Sequence, residues 1–127
     1  AELEAALGGG RLRVCPHGYW NTCRFFWDMP EDVREALGGG AKDVWLTVVK
    51  GDANYRRFTG DSVDWAADAP LDDVVPFFPS PFVLLRTMKS DSVVGLAPGV
   101  AEEVGAVDPL WRVNGKRGVI QLGGLAA

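Results

Sequence analysis

Two short apolar runs, each ending in a cation, constrain this chain most. Val44-Trp45-Leu46-Thr47-Val48-Val49 runs into Lys50, and Phe82-Val83-Leu84-Leu85 runs into Arg86. Both are rich in β-branched and aromatic residues and lack a polar alternation. That pattern predicts strands covered on both faces, as in parallel sheets flanked by helices. Between and around them lie short helical patterns. Leu3 and Leu7 are four apart, Val33 and Leu37 share a helical face, and Pro30 stands at a helix start. Gly8-Gly9-Gly10 and Gly38-Gly39-Gly40 end two of these segments. Arg11–Val14 alternates like a half-buried strand. Asn114-Gly115, between Trp111–Val113 and Val119–Leu122, suits a tight hairpin turn. Asp61 to Pro81, rich in Asp and Pro, reads as a surface wrap with a turn of helix near Leu71. Helices alternating with buried strands predict an α/β fold.

Composition narrows the function classes. The 127 residues suffice for one core, and 47% apolar with 24% charged is globular rather than disordered. A net charge of −4 argues against broad nucleic-acid binding, which needs a basic face. No run approaches the ~20 apolar residues of a membrane helix. The acidic start Ala1-Glu2-Leu3-Glu4 is unlike a signal peptide, and its lack of Met suggests a fragment or a processed chain. Cys15 and Cys23 are too few for a disulfide framework. A cytoplasmic compartment with reduced, buried thiols is the expectation.

The chemistry concentrates at the two strand ends. Lys50-Gly51-Asp52-Ala53-Asn54 leaves the first strand, where ligands of open α/β sheets bind. Gly51 lets a ligand approach the backbone, and free N–H groups at a following helix start suit an anion. Lys50 adds a point charge, while Asp52 and Asn54 can orient hydroxyls. The same residues also make an ordinary polar loop. Arg86-Thr87-Met88-Lys89 ends the second strand. Strand alternation puts Arg86 and Met88 on one face, Thr87 and Lys89 on the other. The two cations therefore have separate tasks: Lys89 toward a phosphate, Arg86 toward an ion pair with an Asp.

In order and spacing these segments resemble the damage-control phosphatase family, in its acidic-residue-methyltransferase-like branch, subfamily III. The carriers are Lys50-Gly51-Asp52-Ala53-Asn54-Tyr55-Arg56-Arg57-Phe58, then Thr59-Gly60-Asp61, and the Arg-Thr-x-Lys signature at Arg86-Thr87-Met88-Lys89. Val93–Leu96 and Gly115–Gln121 are similar to the family's closing segments.

The resemblance implies a three-layer α/β/α sandwich, Rossmann-like, of which residues 1–127 are the C-terminal, substrate- and phosphate-binding part. It implies a phosphatase for small phosphorylated sugars of the fructose-phosphate type, using a divalent metal (Mn, Co, Ni or Mg). The implied substrate-binding residues are Lys50, Gly51, Asp52, Ala53, Asn54, Arg86, Thr87 and Lys89; a catalytic residue is not assigned. The family's metal is held by an Asp-Asn pair and a further Asp upstream of the matched region. Asp28 and Asp43 stand in the wrong contexts for that role. The metal ligands are therefore expected outside this chain, in a missing N-terminal portion or a second chain, and the isolated chain is expected to be inactive. Neither a nucleic acid nor a membrane is an expected partner. Two alternatives remain: a protein carboxyl methyltransferase using S-adenosylmethionine, for which no glycine-rich loop is visible, and a non-catalytic phosphosugar-binding or assembly module.

Other constellations read more plainly. Cys15, His17 and Cys23 lack the ligand number and spacing of a zinc site. His17 reads as partly buried. The aromatic block Tyr19, Trp20, Phe25, Phe26 and Trp27 reads chiefly as core, and Asp72-Asp73 as a solvated turn.

Overall fold

The computed structural model describes residues 1–40 and 44–125. Asp43, weighed above as a metal ligand, lies outside them. The described α-helices and β-strands are α1 (Glu2–Gly8), α2 (Glu31–Arg34), β1 (Thr47–Lys50), α3 (Asp52–Thr59), α4 (Leu71–Val74), β2 (Phe82–Thr87), α5 (Val100–Val107) and β3 (Gly118–Gly123). The strands form one sheet in the order β1-β2-β3. β1 runs parallel to β2, with Val49 opposite Leu84 and Lys50 opposite Leu85. β3 runs antiparallel to β2, with Arg86 opposite Val119 and Thr87 opposite Gly118. The α/β class is as the sequence indicates.

One face of the sheet carries the core. Val49, Phe82 and Leu84 point into it and meet Tyr55 and Phe58 from α3. Phe58, with 0% exposure, sits among the rings of Phe26, Phe77, Phe78 and Phe82 at centroid distances of 4.7 to 6.1 Å. Rings at these separations in edge-on and tilted poses add roughly 0.5–1.5 kcal/mol per pair to their burial. Arg57 fastens the aromatic block to α3: its guanidinium lies 5.0 Å from the Tyr19 ring and donates to the Arg24 carbonyl at 2.7 Å. Met88, Val93 and Trp111 form a smaller cluster beside Ala101 and Val104 of α5.

The opposite face of the sheet is bare among the described residues. Val48 is 58% exposed, Ile120 81% and Leu122 55%, with Val83 and Leu85 half-buried between them. The expectation that both strands are covered on two faces is thus corrected. The apolar residues are there, yet the helices described pack on one side only.

Three further expectations are corrected. Arg11–Val14 is irregular rather than a strand, and Trp111–Val113 lies in a run of turns. Val119–Leu122 therefore pairs with β2, not with a hairpin partner. Ladder bonds to a central buried strand satisfy its backbone better than a local turn does. Cys15 and Cys23 are exposed, not buried, because the segment carrying them turns its Tyr19 and Phe26 inward instead.

Candidate phosphate-binding site

Parallel pairing brings the ends of β1 and β2 side by side. Beyond them opens a cavity of about 490 Å³ lined by Lys50, Gly51, Asp52, Leu85, Arg86, Thr87, Lys89, Gly118, Val119 and Ile120. Six of the eight expected site residues thus share one cavity. Two glycines shape its lining. Gly51 adopts φ 102°, a value that disfavours any residue with a Cβ. This kink turns the chain from β1 directly into α3. Gly118 faces β2 so closely that a Cβ would stand 2.6 Å from the Arg86 carbonyl oxygen.

Ala53 and Asn54 lie on the first turn of α3 and do not line this cavity. The Asn54 amide donates to the Lys50 carbonyl at 2.9 Å, tying the helix start to the strand end. Asn54 and Lys50 border a second hollow of about 230 Å³, walled by Trp20 and Phe26. Lys50 therefore stands between two depressions. No side chain caps α3, so the N–H groups of its first turn are not spent on a local cap. Such a helix start carries partial positive charge suited to an anion.

At the end of β2 Arg86 is buried and Thr87 exposed, and the pattern carries past the strand, with Met88 buried and Lys89 exposed. The Arg86 side chain is 0% exposed, and its Nε donates to Asp52 Oδ1 at 2.8 Å. Its other nitrogens donate to the carbonyls of Ser92 (2.5 Å) and Ser90 (2.9 Å) and to Ser90 Oγ (2.6 Å). The guanidinium also faces the Tyr55 ring at 4.3 Å. An Asp partner for Arg86 was anticipated; that it is Asp52, from the other strand end, was not legible. Ser90, Gly118 and Ile120 were also missed. Ser90 follows the Arg-Thr-x-Lys signature directly, which was the available signal.

Burial holds the Tyr55 phenol above its ordinary value, with the backbone bond to Val94 and the nearby Arg86 acting the other way. Hydrogen bonds from Arg56 hold Asp61 below the usual carboxylate value. His17 is partly buried, as expected; its Nδ1 accepts from the Tyr19 N–H and its Nε2 lies 3.3 Å from Asp32 Oδ2. Asp108 is bound by Arg117, by Asn114 and by the Leu110 N–H.

The described residues do not make a metal centre. Among the described residues no three His, Cys, Asp or Glu side chains converge. Among the described residues Asp52 is the one carboxylate lining the cavity, and its Oδ1 accepts from Arg86.

Residues 2–104 match the family described as Damage-control phosphatase ARMT1-like domain. The chain belongs to this family. It is 35% identical over 125 residues to Damage-control phosphatase ARMT1 of Homo sapiens, covering 98% of the chain and 28% of the relative. It is 37% identical over 105 residues to the Xenopus tropicalis protein of that name (76% and 23%). To the Danio rerio protein it is 39% identical over 106 residues (83% and 23%). The chain thus spans about a quarter of the length of these relatives. No helix among the described residues is long and apolar enough to cross a membrane.

Proposed function

We propose that this chain is the substrate-gripping, C-terminal part of a metal-dependent phosphatase acting on small sugar phosphates. The observation that carries the reading is that Lys50 and Lys89, from two adjacent parallel strand ends, line one cavity beside the uncapped start of α3. Two ammonium groups, the Thr87 hydroxyl and helix N–H groups supply donors for a phosphoryl group's oxygens. Phosphoryl transfer is catalysed chiefly by positioning and charge stabilisation, so this donor set suits its demands. A divalent metal, when bound, would polarise the phosphoryl oxygens and activate water. Its ligands belong, on this reading, to the three-quarters of the relatives' length outside the match. That portion would also cover the bare sheet face, completing the third layer, in a cytoplasmic enzyme. Alone, the chain would bind phosphate without turning it over.

The test is phosphate release from fructose phosphates with Mn²⁺, by the longer polypeptide proposed to carry this segment. Lys89→Ala is expected to slow turnover about 100-fold, the scale for losing one preorganised donor to developing charge. Equal turnover would remove Lys89 from the mechanism.

A further inference from the structure

Asp52 occupies the first position of α3, where a carboxylate usually serves its own helix. Here its Oδ1 instead accepts three donors from the exit of β2: Arg86 Nε at 2.8 Å, Ser90 Oγ at 3.2 Å and the Lys89 N–H at 3.3 Å. Arg86 in turn gathers Ser90 and Ser92 around its guanidinium. On the other flank, the Met88 N–H donates to the Arg117 carbonyl at 2.8 Å and the Met88 carbonyl accepts from the Gly115 N–H at 2.9 Å. The Lys89 backbone is thus held from both sides. Its side chain makes no hydrogen bond or ion pair among the described residues and lines the cavity.

We infer that Asp52 is a positioning residue: it clasps Arg86 and the Lys89 amide, and so fixes where Lys89 meets the bound anion. The inference rests on the phosphate reading above. It carries a distinctive sign. A carboxylate beside an anion site opposes anion binding by simple Coulomb repulsion, so deleting it should tighten binding if charge were its only effect. A clasp gives the reverse. Without an acceptor at position 52 the buried Arg86 Nε–H and the Lys89 N–H go unpaired and the Ser90 turn loses its anchor, leaving Lys89 unplaced. Asparagine separates the two effects. It removes the charge and keeps an Oδ1 that accepts from Arg86 and from the Lys89 N–H.

The experiment uses this chain with inorganic phosphate as the probe, with amide hydrogen exchange at Lys89 followed in the absence of phosphate. Asp52→Ala is expected to weaken phosphate binding about tenfold and to speed Lys89 exchange about tenfold, the scale of one charge-assisted hydrogen bond. Asp52→Asn is expected to stay within about twofold of the parent in both readouts, since its acceptor remains. If Asp52→Ala does not fold, Ser90→Ala removes one donor to Oδ1 and gives the same directions at smaller amplitude. Unchanged or tighter binding in Asp52→Ala overturns the inference, as does an Asp52→Asn variant as impaired as Asp52→Ala. Should the parent chain take up no phosphate, the phosphate reading fails, and the exchange readout alone decides whether the clasp exists.

Discussion

The Arg86 guanidinium rests 4.3 Å from the centre of the Tyr55 ring while its Nε grips Asp52. Strand end, helix start and core therefore meet in one side chain. Truncating it leaves Asp52 without its cation and the carbonyls of Ser90 and Ser92 without the guanidinium donors. Breaking a buried pair costs about 3–5 kcal/mol, and Asp52 is partly exposed, so the lower end applies. Arg86→Met is expected to lose about 3 kcal/mol in urea unfolding. A loss below about 1 kcal/mol would place Arg86 at a solvated strand end instead.

Phe58 fills the centre of the aromatic core with 0% exposure. Phe58→Ala is expected to cost about 3–5 kcal/mol by lost transfer energy and a residual cavity. That approaches the whole stability of many domains, so the variant is expected to unfold in mild denaturant.

The two tyrosines give an alkaline signature. Burial raises both Tyr19 and Tyr55 above 10.0, with Arg57 and the Val94 bond, respectively, acting as the largest opposing effects. The folded state keeps these protons at pH values where the unfolded chain has lost them. Their stabilising contribution is thus full below 10.0 and lost as pH rises through the folded values. Near-ultraviolet titration is expected to show phenolate forming later in the native chain than in denaturant. Coincident curves would contradict the buried placement of these rings. On the acid side, Asp61 is held below 3.8 by Arg56 hydrogen bonds. Its contribution is present above 3.8 and is lost as pH falls through the folded value.

The bare sheet face has a separate consequence. Val48, Ile120 and Leu122 make an exposed apolar strip. Ile120→Lys is expected to reduce binding of a hydrophobic dye and concentration-dependent association, while changing stability by no more than about 0.5 kcal/mol. A large destabilisation would mean that Ile120 is packed rather than exposed.

How much was legible follows from which signals are local. Lys50 and Lys89 were readable because each follows an apolar run, and strand ends are where α/β sheets bind ligands. The burial of Arg86 beside the exposure of Thr87 followed from strand periodicity, while Lys89 lies two residues past the strand end. The Asp52–Arg86 pair was not readable, since nothing in the spacing says which of 17 acidic side chains meets Arg86. The Asn114-Gly115 pair misled because a good turn does not specify which strands pair. The run Val44–Val49 was read as covered on both faces, because apolar content reports a need for burial and not whether its cover is present.

The central claim is that one anion is enclosed by Lys50, Lys89 and the start of α3. Titration of this chain with inorganic phosphate, followed residue by residue by amide NMR, tests it most directly. The expected result is saturable shifts confined to the amides of 50–54 and 86–90, weakened about tenfold by Lys89→Ala, the scale of one charge-assisted hydrogen bond. Shifts absent from both segments, or identical in Lys89→Ala, would contradict it.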